Sequence, residues 1–391
     1  MGIFFNSKNK KELALVFDIG SSSVGGAVFE IEKNGIPKII LSIREPIILE
    51  NKIDIDQFLS LALKSLESVA KRISTMGVGK LKNISCVLSS PWYASQTRII
   101  KLEKNTPFVF TSKLADSLIE KEMSLFTEEN LAKFAEDNNK TRLIEFKNMK
   151  TTLNGYVTSN PLNKKIKKLE MTIFISMSID RILKKMEETI LQHFHTEQIK
   201  FSSFAMASFT VARDIFVHKE DFLLVDIAGE VTDISMVKKD VLVNSISYPL
   251  GYNFIVRKLA ENLNCDLNEA KSLISLYKNG HAEENVEKKL EPVVSKLKIE
   301  WLSKFQESLT NLSDDISVPA TIFITVDQDL TDFFSKIIKS DQFNRYTLTE
   351  PEFQIIFLDV NILNGITSFK EDTDRDPFMI IESIYLNRFI C

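Results

Sequence analysis

Asp18 and Asp226 are the residues from which chemistry is to be expected, because each ends an apolar run and is followed by a turn of small residues. In LALVFDIGSSSVGGAVFE, Leu13 to Glu30, the residues Gly20, Ser21, Ser22 and Ser23 cannot pack a core, but they let backbone N–H groups approach an anion. In FLLVDIAGEVTDISMVKK, Phe222 to Lys239, the pattern returns: Asp18, Ile19, Gly20 and Ser21 fall on Asp226, Ile227, Ala228 and Gly229. Each stretch predicts a β-hairpin with a carboxylate at its tip, placed to order the water shell of a Mg²⁺ carried in on phosphate. Two such hairpins far apart in the chain predict two similar lobes facing each other across a cleft.

The elements that must hold these tips follow from periodicity. After the first hairpin come a strand from Ile39 to Leu49, a helix from Gln57 to Met76 and a strand from Ile84 to Leu88. The helix buries Phe58, Ala62, Leu66, Val69 and Ile73 and stops near Gly77 and Gly79. From Ser89 the texture changes to a strand at Arg98 to Leu102, helices at Ser112 to Leu125 and Glu128 to Ala135, and a polar break from Asp137 to Lys140. Strands at Arg142 to Asn148, Thr151 to Val157 and Lys168 to Ser176 complete an inserted strand-helix-strand-strand subdomain. Helices at Arg181 to Phe194 and Phe201 to Phe216 lead to the second hairpin. Beyond it come a strand from Val241 to Tyr248, a helix from Asn253 to Asn262, and another from Asp266 as N-cap to a stop at Gly280. A helical stripe from Glu283 to Leu312 follows, which Pro292 should kink or divide. Strands at Thr321 to Val326 and Phe353 to Leu358, and helices at Leu330 to Ile338 and Pro377 to Arg388, complete an α/β chain.

With 391 residues, 44% hydrophobic and 26% charged, the composition fits two or more globular domains. A net charge of −4 and a pI near 5.8 argue against nucleic acid as the main partner. Cys86, Cys265 and Cys391 have no C-x-x-C spacing, so neither a disulfide framework nor a zinc site is indicated, and a reducing cytosol is the expected home. MGIFF at the start is too short for a signal peptide, Asn6 breaks the myristoylation pattern, and no apolar run reaches a bilayer span. His193 and His195 read as a surface pair, since residues two apart on a helix face different ways. The run Lys164, Lys165, Lys167 and Lys168 reads as a solvated turn, with anionic lipid or an acidic partner as the sharper alternative. Trp92 and Tyr93 are open between an exposed recognition spot and burial between subdomains.

The paired hairpins resemble those of the actin-like ATPases, and the position of the insertion resembles the branch of the cell-division protein FtsA and the pilus-assembly protein PilM. The segment Gly155 to Ser178, the Asn268, Glu269 and Ala270 helix start and the last helix are similar to stretches of that branch. The resemblance implies an actin-like (ribonuclease H-like) two-lobed fold. The first lobe would comprise 1–88 and 171–217, the insertion 89–170, the second lobe 218–344, and a return to the first lobe 345–391. It implies ATP with Mg²⁺ at the cleft, held by Asp18, Gly20, Ser21, Ser22, Ser23, Asp226, Gly229, Thr232 and Asp233, with Asp18 and Asp226 reaching the metal through water.

Four departures from the pattern predict weak or lost hydrolysis. Gly25 and Gly26 stand where relatives commonly place a Lys, and Glu230 occupies a small-residue position. Ser202, Ser203, Phe204 and Ala205 stand where several relatives begin a helix with an acidic residue. Val326, Asp327, Gln328 and Asp329 replace a Gly-Gly turn against adenosine, and their Cβ atoms obstruct close backbone approach. The resemblance thus implies a pseudo-ATPase scaffold at the cytoplasmic face of a membrane, in pilus assembly or division. It would bind a membrane protein's cytoplasmic peptide or associate with itself into filaments. The alternative is an active ATPase or phosphotransferase of the same superfamily.

Overall fold

The computed structural model describes residues 11–33, 35–131, 140–312, 318–339 and 353–390. The initial MGIFF, the break expected at Asp137, Cys391 and the expected boundary at 344/345 lie outside the described residues. The chain opens with β1 (Leu13–Ile19), β2 (Ser23–Glu30), β3 (Lys38–Pro46), α1 (Ile55–Thr75) and β4 (Leu81–Leu88). The insertion contributes β5 (Ala94–Phe110), α2 (Ser112–Leu131), β6 (Thr141–Leu153), β7 (Tyr156–Val157) and β8 (Lys164–Ile179). Then come α3 (Asp180–Leu191), β9 (Ile199–Ser203), α4 (Phe204–Ile215), β10 (Phe222–Ile227), β11 (Thr232–Lys238) and β12 (Val241–Tyr248). Helices α5 (Tyr252–Leu263), α6 (Leu267–Lys278) and α7 (Glu284–Leu312) precede β13 (Thr321–Val326), α8 (Thr331–Lys339) and β14 (Gln354–Phe357). The chain closes with α9 (Val360–Leu363), β15 (Ser368–Phe369) and α10 (Pro377–Ile390).

Three sheets result, in the orders β15-β3-β2-β1-β4-β9, β12-β11-β10-β13-β14 and β5-β8-β6-β7. Apart from the short β15, the first two share one plan. An antiparallel three-stranded meander is extended by two strands parallel to its first strand. The Asp-tipped hairpins are therefore central in both sheets, which is why β1 and β10 read as unbroken apolar runs rather than alternating ones. On β1, Leu15, Phe17 and Ile19 pack with α1 and α3, whereas Ala14 and Val16 pack with α4 and α10. On β10, Leu223, Val225 and Ile227 join the core under α5, α7 and α8. Phe222, Leu224 and Phe323 share a core with Val16, Phe204, Phe209 and Ile381, so apolar packing runs unbroken from lobe to lobe.

Local signals set most boundaries. The Asp54 side chain caps α1 by accepting from the Gln57 N–H at 2.8 Å, and Gly77 ends that helix with φ +62°. Asp266 caps α6 in the same way. Of the kink or division expected at Pro292, helix α7 shows that the division does not occur. It is one helix, because the stripe Leu290, Val294, Leu297, Trp301 and Phe305 is buried continuously on both sides of the proline, and that packing outweighs one lost hydrogen bond. In the insertion, α2 is a single helix through the expected gap at Leu125. Strand β5 is far longer than Arg98 to Leu102, being paired to β8 along its length. Strand β6 absorbs the break expected after Asn148 as a bulge, and β8 continues to Ile179, past residue 170.

Candidate functional site

The two hairpin turns are built alike: Gly20 N–H donates to Ser23 O, and Ala228 N–H to Val231 O, each at 3.1 Å. The first is propped by Trp92, whose indole N–H donates to Gly20 O at 2.7 Å while its ring stacks on Phe58 with centroids 4.9 Å apart. Trp92 is therefore buried between subdomains.

Asp18 lies opposite Gly25 on β2, and Gly25 lies opposite Arg44 on β3, so the three form one row across the meander. Gly25 has no side chain, and the Arg44 guanidinium passes over it; a Cβ there would come within 3.0 Å of Arg44 Nη2. Arg44 donates to Asp18 Oδ2 at 2.8 Å, to Ser23 Oγ at 2.8 Å and to Asp376 Oδ2 at 2.5 Å. Burial works against the guanidinium charge, but Asp376 and Asp18 hold it protonated above its ordinary range. Burial likewise raises the Asp18 carboxyl, against the pull of Arg44. Beside it Glu382, fully buried on α10, is raised well above the ordinary range by burial and by the Asp18 charge.

The corresponding row of the second lobe is Asp226, Asp233 and Ser247. Asp226 Oδ1 accepts from Thr325 Oγ1 at 2.8 Å, and Asp233 Oδ1 from Ser90 Oγ at 3.0 Å. Burial, and for Asp226 the neighbouring Asp233, raise both carboxyls, that of Asp226 well above the usual range. The tip itself is fixed by the start of α5, where Tyr252 N–H donates to Ala228 O and Asn253 N–H to Gly229 O. Glu230 turns away from the tip into a two-pronged pair with Arg257, at 2.7 and 2.6 Å, and accepts from Asn253 Nδ2 at 2.8 Å. Thr232 Oγ1 donates to Leu250 O.

The tips touch. Glu230 N–H donates to Ser21 Oγ at 3.0 Å, and a Cβ on Gly229 would stand 2.8 Å from that of Ser22. Ser21 with Glu230, and Asp226 with Asp233, line cavities of about 10 Å³ each. A nucleotide needs roughly 300 Å³ or more. Beyond β13, Asp327 faces the same region, its carboxyl pushed up to about 6 by burial while Arg44 pulls it down. Asp18, Ser21, Ser22, Ser23, Asp226, Gly229 and Asp233 are thus brought together, with Asp18 Oδ1 buried and without a hydrogen-bond partner among the described residues. In this arrangement they do not fit Mg²⁺ with ATP: a guanidinium already neutralises Asp18, and the space for phosphates is filled by the opposite tip. Arg44, Asp376 and Glu382 were not foreseen as part of the site. Only the β2–β3 register, which sets Arg44 opposite Gly25, carries a signal for the first of them.

A roomier concavity, of about 420 Å³, lies between the insertion and the first lobe. It is lined from β6 by Arg142 and Lys147, from β9 by Lys200 and Phe201, and from α10 by Tyr385 and Phe389. Lys147 Nζ sits 3.7 Å above the Phe389 ring. Beneath it, Glu145 accepts from Ser203 Oγ at 2.7 Å and from the Tyr385 hydroxyl, and burial raises its carboxyl despite those bonds.

No protein-family profile and no curated protein matches the sequence. Among solved structures, the PilM–PilN type IV pilus biogenesis complex matches with a TM-score of 0.59 at 13% identity, covering 96% of each chain. A Bacteroides thetaiotaomicron protein with an actin-like ATPase fold matches at 9% identity over 96% of each chain, with a TM-score of 0.44. The ethanolamine utilization protein EutJ from Carboxydothermus hydrogenoformans matches at 10% identity over 96% of this chain and 89% of its own, also at 0.44. With two sheets on one plan, hairpin tips in contact and a four-stranded insertion in the first lobe, this chain has an actin-like ATPase fold, similar to that of the PilM–PilN complex.

Proposed function

We propose that this chain is an actin-fold scaffold that docks a short cytoplasmic segment of a membrane protein and does so without hydrolysing nucleotide. The observation that carries the reading is the contrast in space: about 420 Å³ in the groove beside β9, against about 10 Å³ at each hairpin-tip cavity. Strand β9 is an edge of its sheet, so an extended peptide can pair with its backbone. Lys147 and Lys200 select acidic side chains, and Phe201, Leu386 and Phe389 take apolar ones. A similar fold was solved as a PilM–PilN type IV pilus biogenesis complex, and a partner protein that offers a peptide from the membrane suits this groove. The protein then works at the inner face of a membrane as part of a pilus-type assembly. No helix of the described residues is long and apolar enough to cross that membrane itself.

Fluorescence anisotropy with labelled cytoplasmic peptides of the single-span membrane proteins encoded beside its gene tests this. Micromolar binding to one of them is expected, reduced at least tenfold by Lys147→Glu with Lys200→Glu. If every peptide fails, or the double reversal leaves affinity untouched, the groove is not the docking site. Thermal melts with Mg²⁺ and ATP should show no stabilisation; a clear rise in melting temperature together with phosphate release refutes the non-hydrolysing reading.

A further inference from the structure

We propose that the free end of the inserted sheet docks onto an anionic lipid bilayer, a contact separate from the peptide groove. At this end Asn154 and Gly155 turn the chain with φ of +50° and +89°, and the two residues of β7 fold back on β6. Tyr156 is 80% exposed and Val157 65%; beside them Leu162 and Val109 are each 48% exposed. Isolated exposed apolar side chains are ordinary, but four gathered at one end of one sheet are a patch.

The patch carries its own charge. Between 101 and 110 and between 154 and 170 stand six lysines and two glutamates, in a chain whose net charge is −4. Glu103 pairs with Lys168 and Glu170 with Lys101. Lys165 and Lys167 are exposed and have no carboxylate partner among the described residues. Lys165 lies directly across from Val109, so cation and apolar group stand side by side on the sheet surface.

The arrangement is built rather than slack. Asn154 Oδ1 accepts from the Lys167 and Lys168 N–H groups at 2.9 and 3.0 Å, and Asn154 N–H donates to Lys168 O at 2.8 Å. Tyr156 pairs with the buried Leu153, and Val157 with Thr152, so the two apolar side chains leave opposite faces of the sheet. A flat protein surface would meet one of those faces. The headgroup region of a bilayer takes both, with lysines at the phosphate level and the tyrosine at the interface.

The test is co-sedimentation of the full chain with vesicles of phosphatidylcholine alone and of equal parts phosphatidylcholine and phosphatidylglycerol, at low and high salt. Binding to the anionic vesicles only, weakened by salt, is expected. A lysine near an anionic surface contributes about fivefold in partition, so Lys165→Gln with Lys167→Gln should lower binding roughly 20-fold. Tyr156→Ser with Val157→Ser should lower it on both low and high salt. All four positions are exposed, and an unchanged circular dichroism melt shows that the fold is kept. Absence of binding to anionic vesicles overturns the proposal, as does binding that neither pair of substitutions weakens. Concentration-dependent self-association that the tip variants abolish, with no vesicle binding, overturns it in favour of a contact between copies of the chain.

Discussion

Replacing Arg44 by Met tests whether the guanidinium is the built-in counterion of the hairpin site. Methionine fills most of the volume above Gly25 but leaves Asp18, Ser23 and Asp376 without their donor. The Asp376 side chain is 15% exposed and water can take part of the load, whereas that of Asp18 is 3% exposed and water cannot. Breaking a buried pair by removing one partner costs about 3–5 kcal/mol; with the cost concentrated on Asp18, about 3 kcal/mol is expected from urea unfolding at neutral pH. The pH dependence fixes the cause. Burial already holds the folded Asp18 above its ordinary range, and loss of Arg44 raises it further. A carboxyl raised in the folded state favours folding at low pH and loses that contribution as pH climbs through its folded value. The Met variant should therefore stand closest to wild type near about pH 4 and furthest from it above about pH 7. Asp18→Asn in the Met background removes the stranded charge and should restore most of the loss, giving a coupling of about 2 kcal/mol in the double-mutant cycle. A loss under about 1 kcal/mol at pH 8, or no rescue by Asn, refutes the reasoning.

Two further outcomes follow from the same region. Gly251→Ala would set a Cβ 2.3 and 2.4 Å from the carbonyl oxygens of Gly229 and Ala228, backbone atoms that cannot rotate aside. A loss of about 3 kcal/mol or more is expected in chemical denaturation, and a change of less than about 1 kcal/mol would show that the second hairpin tip is not pinned by α5. Asp327, pushed up to about 6 from 3.8 by burial, contributes stability below the unfolded value that is lost as pH rises through the folded one. Asp327→Asn should flatten the fall in stability between about pH 4 and pH 6 by roughly 1–3 kcal/mol, read from denaturation curves across that range.

The two hairpins were legible because their strands are covered on both faces, and a buried central strand writes itself as a solid apolar run ending in a turn. Helix α1 was legible for the opposite reason: one buried face, an Asp cap and a terminal glycine. The insertion was read with its strands too short. Strand β5 alternates polar and apolar residues at an edge, so only Arg98 to Leu102 stands out, while the pairing to β8 that extends it to Phe110 is a long-range fact. Pro292 does not divide α7 because tertiary packing decides there: the stripe ending in Trp301 and Phe305 has one wall to cover and covers it as one helix.

The site was half legible, and the half that was missed explains the other. Gly25 reads in sequence as a lost lysine, a defect in a phosphate site. In three dimensions it is the gap through which Arg44 reaches Asp18, so the cation is supplied from the next strand instead of the same one. The second lobe has the same row with Asp233 and Ser247 in place of Gly25 and Arg44, and no cation. Its carboxyls accept from the hydroxyls of Thr325 and Ser90, and burial raises both. Mg²⁺ with nucleotide would neutralise both rows at once and so tie closure of the lobes to ligand. Here Asp18 pairs with a guanidinium while Asp226 and Asp233 accept from hydroxyls, and the shared core from Val16 to Phe323 packs lobe against lobe.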